Sequence, residues 1–289
     1  MKKFKVISLK ERLEKKDEII VLPGVYDALS ARIAQNVGFN AAFQTGYGTS
    51  ATLLGMPDFG FLNAGETIDN ARRIINSVDI PILVDIDTGY GSPLNVWRTV
   101  TDIEKLGAGG IFLEDQVWPK RCGHMKGKSV ISKDDYVQKL KAAIDARKSK
   151  DFIIVARTDS LAQYGIDEAI ERGKEFQKIG ADVIFIEAPK TLEEMKKITA
   201  EIDAPLLANM IEEGVTPNLP AKDLEKLGFR MVVFPLSALY SSTYAIKNVF
   251  LSLQKTGMTK NLKKKMITFK EFNDFVNLPK YNQLEKKYS

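Results

Sequence analysis

The chain has 289 residues, 44% of them hydrophobic, with 42 basic and 37 acidic side chains and a net charge of +5. That length suits one large α/β barrel or two medium domains, and the small cationic surplus favours anionic small molecules over nucleic acid, because no aromatic–basic interleaving or known nucleic-acid module accompanies it. One cysteine excludes an internal disulfide framework, no apolar run approaches the roughly 20 residues that span a bilayer, and the Met1-Lys2-Lys3 start lacks the apolar stretch of a secretory signal, so a cytoplasmic protein is expected.

β-rich runs alternate with helical patterns along the chain: Ile19–Tyr26, Ala41–Thr45, Pro81–Asp87, Gly110–Asp115, Phe152–Thr158, Val183–Glu187, Pro205–Met210 and Met231–Phe234. Such alternation favours a parallel sheet covered by helices, and eight repeats over this length are what a closed (β/α)₈ TIM-type barrel requires. Asp27 is placed to cap a helix whose apolar stripe is Leu29, Ile33 and Val37 and which Gly38 ends. Ser92 and Pro93 read as the N-cap and first residue of a helix running through Val96, Val100 and Ile103 to Gly107. Thr191 with Glu194 forms a capping box ahead of Met195 and Ile198. No linker interrupts the series, so residues 1–289 read as a single barrel domain with a helical C-terminal extension from about 256. Within that extension Lys260 to Lys265 reads as a solvated helix face, and Phe269, Phe272 and Phe275 recur at helical spacing, which predicts packing against a core or a neighbouring subunit.

Ionisable residues gather where such barrels build their sites, at the C-terminal ends of the strands: Asp85 and Asp87, Glu114 and Asp115, Arg157 and Asp159, Glu187, and the polar Asn209. The opposite ends begin with apolar or small residues such as Pro81, Phe152, Val183 and Pro205. Strand alternation points Asp85 and Asp87 the same way. Two close carboxylates repel, and a divalent cation offsets the repulsion. With one histidine and one cysteine in the chain, an oxygen-liking ion matches better than zinc. Mg²⁺ is expected, with Mn²⁺ as its substitute: Asp85 coordinates directly while Asp87 and Glu114 hold waters. Two segments read as long loops. Thr45 to Ser50 brings small residues and their backbone N–H groups where a carboxylate could sit, or is simply a tight glycine turn. Gln116 to Ser129 holds Lys120-Arg121-Cys122-Gly123-His124, with Gly123 and Gly127 as hinges for closure over a substrate. Flanking cations are expected to lower the thiol pKa of Cys122 from about 8.5.

Pro23-Gly24-Val25-Tyr26-Asp27-Ala28, Thr45-Gly46-Tyr47-Gly48, Asp85-Ile86-Asp87-Thr88-Gly89-Tyr90-Gly91, Glu114-Asp115-Gln116, the Cys122 segment, Ala156-Arg157-Thr158-Asp159 and Ala208-Asn209-Met210 together resemble the isocitrate lyase and phosphoenolpyruvate mutase superfamily. The likeness is to its short methylisocitrate lyase and dimethylmalate lyase-like members, proteins often described as carboxyvinyl-carboxyphosphonate phosphorylmutase. The resemblance implies a barrel whose last helix is exchanged with a neighbouring subunit, within a homotetramer. It implies a magnesium site organised by Asp85, Asp87 and Glu114. Thr45, Gly46 and Tyr47 would meet the carboxylate of a 2-oxo product, and Tyr26, Asp58, Glu187 and Asn209 would complete the substrate pocket. The implied activity is carbon–carbon cleavage of a 2-hydroxy di- or tricarboxylate to a 2-oxo acid such as pyruvate and a second carboxylate. In that retro-aldol reaction Cys122 is the general acid, Arg157, Lys120, Arg121 and His124 support the developing negative charge, and Glu114 belongs to the catalytic set through the metal site. Two positions depart from the methylisocitrate lyase pattern. Phe43 stands where those enzymes carry a Tyr, and no Arg follows Pro235-Leu236-Ser237-Ala238, so a substituted malate competes with a tricarboxylate as substrate. Phosphonate P–C chemistry, oxaloacetate decarboxylation or hydrolysis, and a non-catalytic carboxylate-binding barrel are the alternatives.

Overall fold

The computed structural model describes residues 7–15, 18–125 and 127–289. Its strands are β1 (Ile20–Val25), β2 (Ala42–Gln44), β3 (Ile82–Asp85), β4 (Gly110–Glu114), β5 (Ile153–Thr158), β6 (Val183–Ile186), β7 (Leu207–Asn209) and β8 (Met231–Phe234). They pair in parallel in the order β6-β5-β4-β3-β2-β1-β8-β7. The two ends meet through a parallel bridge between Ile184 and Leu206, with the Ile184 N–H donating to the Pro205 carbonyl at 2.9 Å. This is the expected (β/α)₈ barrel. Each strand falls within its predicted run, shortened where the chain leaves the ladder to form a strand-end loop.

Alternation along the strands separates two apolar layers. Leu22, Phe43, Leu83, Phe112, Val155, Val183, Phe185, Met231 and Val233 point inward and fill the barrel, as side chains do in this architecture. Leu9 and Leu13 of the helix Leu9–Lys15 join the same cluster and stopper it. The other face, with Val84, Ile111, Ile154 and Ile184, packs against the surrounding helices through residues such as Ala71, Ile74, Val100, Tyr136 and Leu140.

The local signals behave as their chemistry dictates, with two corrections. Asp27 caps the helix Ala28–Asn36, accepting the Ser30 N–H at 2.7 Å, and Gly38 follows it with φ 102°. The face turned inward, however, is Ala31 and Ala34, while Leu29, Ile33 and Val37 are 43%, 48% and 68% exposed. Small residues let this helix lie close to the sheet; the larger apolar stripe lies on another side. The helix Pro93–Lys105 buries Val96, Val100 and Ile103 as expected. Thr191 accepts the Glu194 N–H at 3.1 Å, but the Glu194 carboxylate takes the Lys190 N–H, so the capping box is only half made.

The chain divides into two compact units between Leu239 and Tyr240, inside the helix Ser237–Thr256. The second unit continues with a 3₁₀ turn over Lys260–Lys265 and helices Phe269–Phe275 and Leu278–Tyr288. Lys260–Lys265 is solvated as expected but is not α-helical. Phe269 and Phe272 are exposed and Phe275 half-buried, so these rings are not core residues. Among the described residues no helix is long and apolar enough to cross a membrane.

Candidate active site

Barrel register brings the strand-end charges together. The β4–β5 pairing sets Glu114 opposite Arg157, and the Arg157 guanidinium reaches Glu114 Oε2 at 3.1 Å. Arg157 also makes a two-pronged contact with Asp159, Nε to Oδ2 at 2.7 Å and Nη2 to Oδ1 at 3.0 Å, and lies 3.8 Å from Glu187. Asn209 donates its amide to Glu187 at 3.3 and 3.4 Å. Below the guanidinium lie the Phe112 and Phe185 rings, each centroid 5.5 Å from Cζ. Burial would raise the Asp159 pKa, but the cations Arg157 and Lys128 outweigh it and hold the carboxyl at about 2.

Asp85 and Asp87 converge, though not by strand alternation. β3 ends at Asp85, and Asp87 takes left-handed φ 49°, a conformation Asp tolerates better than most residues. The turn is held by the Asp87 N–H donating to Asp85 Oδ1 at 3.0 Å. The second Asp85 oxygen accepts the Gly46 N–H at 3.2 Å. That donor belongs to the segment expected to be a loop, which is instead the helix Gly46–Leu54, capped by Thr45 accepting the Gly48 N–H at 3.2 Å. Its glycines weaken helix propensity yet are required by space: a Cβ on Gly46 would sit 2.7 Å from Asp85 Oδ2, and one on Gly48 would sit 2.6 Å from Thr45 Cγ2. The segment expected to meet a product carboxylate is therefore a helix N-terminus, with the positive end of its dipole beside Asp85.

Over these groups folds the loop after β4. Gln116 brackets its start, donating to the Arg121 carbonyl at 2.8 Å and accepting the Arg121 N–H at 2.9 Å. Lys120 is buried with its ammonium 2.6 Å from both Asp58 and Asp87. Burial disfavours that charge, but four nearby acids more than compensate and keep the pKa well above a normal lysine. Arg121 is exposed, its guanidinium over the Phe59 ring at 5.2 Å. His124 accepts the Val215 N–H at Nδ1 (3.0 Å), which leaves Nε2 as the protonated nitrogen facing Glu187 at 3.2 Å. The thiol behaves opposite to expectation. Burial, with Asp58 and Glu187 nearby, pushes Cys122 up to about 11 despite a backbone hydrogen bond and Arg157, so the flanking cations do not set its acidity.

One pocket thus joins Thr45, Tyr47, Asp58, Asp85, Lys120, Arg121, Cys122, Arg157 and Asn209, walled by Phe43, Phe112, Ile211, Val233, Pro235 and Leu236. Glu187 and His124 stand behind it as a buttress, and Tyr26 packs with Tyr47 against the Ile211–Leu236–Leu239 cluster. The space left is about 40 Å³, enough for a few waters, and the buried Lys120 and Gly123 show that the loop lies over the strand ends. Sequence reasoning missed Lys128, whose ammonium bonds both the Gly123 carbonyl and Asp159. A lysine at the close of the loop, facing an Arg-x-Asp strand end, was the available signal.

The acids fit a divalent cation. Burial and neighbouring carboxylates raise the pKa of Asp85, Asp87 and Glu114 despite Lys120 nearby, leaving Asp87 at about 7. Glu114 Oε1 is buried with no hydrogen-bond partner. Among the described residues no three Asp, Glu, His or Cys side chains close on one point, so the acids do not form an all-protein cage. A single direct carboxylate with others a water away is a common arrangement for Mg²⁺.

The family described as phosphoenolpyruvate phosphomutase matches residues 9–253. The chain is 44% identical to 2,3-dimethylmalate lyase of Eubacterium barkeri over 94% of each chain, and 46% identical to the chloroplastic carboxyvinyl-carboxyphosphonate phosphorylmutase of Arabidopsis thaliana over 96% of this chain and 83% of that one. It is 39% identical to 2-methylisocitrate lyase of Aeropyrum pernix, covering 97% and 90%. Among solved structures, oxaloacetate acetylhydrolase with 3,3-difluorooxalacetate superposes with TM-score 0.92 at 35% identity over 98% and 96% of the two chains. Phosphonopyruvate hydrolase with oxalate and Mg²⁺ does so with TM-score 0.87 at 26% identity over 97% of each. Lyases among these relatives match the expected class, a carbon–carbon lyase, while the hydrolases differ from it. The chain belongs to the phosphoenolpyruvate phosphomutase family, within the isocitrate lyase and phosphoenolpyruvate mutase superfamily.

Proposed function

We propose that this chain is a divalent-cation-dependent carbon–carbon lyase that splits a 2-hydroxy dicarboxylate of the 2,3-dimethylmalate type into a 2-oxo acid such as pyruvate and a second carboxylate. The carrying observation is Cys122: its thiol lines the same pocket as Asp85 and Arg157 and is held protonated, with a pKa of about 11, so it is available as a proton donor at neutral pH. A bound Mg²⁺ or Mn²⁺, held by Asp85 with Asp87 and Glu114 a water away, would supply the positive charge that favours an ionised substrate hydroxyl.

The residues then divide the work. The helix N-terminus at Thr45, Gly46 and Tyr47 receives the carboxylate of the 2-oxo half. As the hydroxyl passes its proton to a pocket water and the adjacent C–C bond breaks, the bonding electrons pass into the second half as an aci-carboxylate. Arg157 offers it a guanidinium, and Cys122 delivers its proton to the carbanion carbon, leaving a thiolate to be reprotonated. Lys120 is the permanent counter-ion of Asp58 and Asp87, and its raised pKa speaks against a role as base. Glu187, His124 and Asn209 hold Arg157 and the loop in place. Phe43 has no ionisable group, and its ring packs edge-on against Phe112 at 5.4 Å.

The wall of Ile211, Val233, Pro235 and Leu236 is apolar and supports alkyl substituents in preference to a third carboxylate. The likeness to oxaloacetate acetylhydrolase supports a second reading, hydrolysis of oxaloacetate. Incubating the protein and Mg²⁺ with 2,3-dimethylmalate, 2-methylisocitrate, isocitrate, oxaloacetate and phosphonopyruvate, with products followed by NMR, separates these. Pyruvate and propionate from dimethylmalate are expected; oxalate and acetate from oxaloacetate, with no hydroxy acid cleaved, would replace the first reading by the second. We further propose that the protein is cytoplasmic and, as the motif resemblance implies, a homotetramer exchanging its last barrel helix.

A further inference from the structure

We propose that Lys128 is a positioning residue that latches the cysteine-bearing loop shut and, through Asp159, couples closure of that loop to the charge Arg157 presents to substrate. Its side chain is 4% exposed, and its ammonium donates to the Gly123 carbonyl and, at 3.0 Å, to Asp159 Oδ1. Gly123 directly follows Cys122, so this bond holds the turn that aims the thiol. The same Asp159 oxygen accepts Arg157 Nη2, and Asp159 is itself anchored by donating its N–H to Asp115 Oδ1 at 2.9 Å.

Two consequences follow from that sharing. With the latch engaged, one carboxylate is divided between two cations, so Arg157 is less neutralised and more of its charge is left for an incoming aci-carboxylate. With the loop lifted, Asp159 stays in place and pairs with Arg157 alone. The contact is tight: a Cβ on Gly123 would lie 2.1 Å from Glu187 Oε1 and 2.4 Å from Arg157 Nη2, so the latched turn rests directly on the charged cluster. Little space is left under the loop, about 40 Å³, so opening of this latch is expected to accompany substrate entry.

The proposal rests on the assignment of Cys122 and Arg157 to the reaction, but its test does not need turnover. Cys122 is the only cysteine, so iodoacetamide alkylation of the intact protein, followed by mass spectrometry, reads loop opening at one atom. Lys128→Met keeps the stem and removes the ammonium. It is expected to raise the alkylation rate by at least about tenfold, the least that losing a charge-assisted hydrogen bond to a buried carboxylate should give. Asp159→Asn cuts the other end and is expected to do the same, whereas Lys128→Arg retains a cation and stays closer to the parent rate. Lys174→Met, which removes only an exposed partner of Glu201, controls for general loosening. Circular dichroism checks folding. Should Lys128→Met not fold, Lys128→Gln, which keeps a donor for Gly123 but no charge for Asp159, carries the same expectation. An alkylation rate unchanged in the folded variant, or raised no more than in Lys174→Met, overturns the latch. In a turnover assay kcat should fall more than KM rises; absence of turnover on every substrate in the panel would sink the lyase reading and leave the alkylation result to judge the latch.

Discussion

Gly46→Ala is the sharpest single-atom probe of the site. Gly46 opens a helix without left-handed φ, so alanine is conformationally welcome there, and helix propensity alone would favour the change by up to about 1 kcal/mol. The new methyl, however, would stand 2.7 Å from Asp85 Oδ2, 3.3 Å from its Cγ and 3.4 Å from Asp87 Oδ1. Ordinary contact begins near 3.4 Å, so Asp85 must retreat by about 0.7 Å, and it is tethered by N–H donors on both oxygens. Overpacking of this kind costs about 1–3 kcal/mol, which leaves a net loss of roughly 0–2 kcal/mol and a fall in Tm of a few degrees. The functional loss should be far larger, since a misplacement approaching 1 Å is worth about 10²-fold in rate. Differential scanning fluorimetry with and without Mg²⁺, beside lyase kinetics, separates the two effects. A variant that melts near the parent but loses both its Mg²⁺-induced stabilisation and its turnover is expected. Parent-like turnover would refute the placement of Asp85 as the direct ligand.

Lys120→Met would leave Asp58 and Asp87 facing each other without their shared cation; urea unfolding should report a loss of about 3–5 kcal/mol, partly restored by Mg²⁺, and a loss under about 1 kcal/mol would contradict the bridge. Asp87, raised by burial to about 7, binds its proton more tightly folded than unfolded. Its contribution to stability is therefore full below the unfolded pKa of about 3.9 and is lost as pH rises to 7. The Mg²⁺-induced rise in Tm should accordingly grow across that interval, as protons cease to compete; a pH-independent rise would show that Asp87 does not face the ion. Cys122→Ser exchanges the thiol for a much weaker acid and should lower kcat by about 10²–10⁴-fold while calorimetric binding of oxalate with Mg²⁺ persists, and unchanged turnover would remove the thiol from the reaction.

The barrel was legible because eight apolar runs with polar C-terminal ends alternate with capped helices, and both regularities are local. What the sequence concealed was set by three-dimensional space. Gly46 and Gly48 look like a flexible turn because their helix is justified only by the crowding of Asp85 and Thr45. Leu29, Ile33 and Val37 mark a real periodicity, but which side of a helix meets the sheet depends on how closely Ala31 and Ala34 let it approach. Asp85 and Asp87 meet as expected for another reason, a turn in place of strand alternation. Counting cations beside Cys122 predicted an acidified thiol, whereas Lys120 is spent on Asp58 and Asp87 and the exposed Arg121 stacks over Phe59. Residue neighbours in sequence are poor guides to electrostatics when the fold sends adjacent side chains to opposite sides.

The shut loop has a chemical side effect for a protein carrying a single sulfhydryl. Peroxide and other electrophiles attack the ionised sulfur, and a group held near pKa 11 supplies almost none of it at neutral pH. The enclosure that preserves its hydrogen for delivery to a carbanion therefore also spares it from oxidation between turnovers. Vulnerability should be confined to the brief intervals when the lid lifts, so oxidative inactivation ought to be slowed by saturating product and hastened under conditions that keep the site agape.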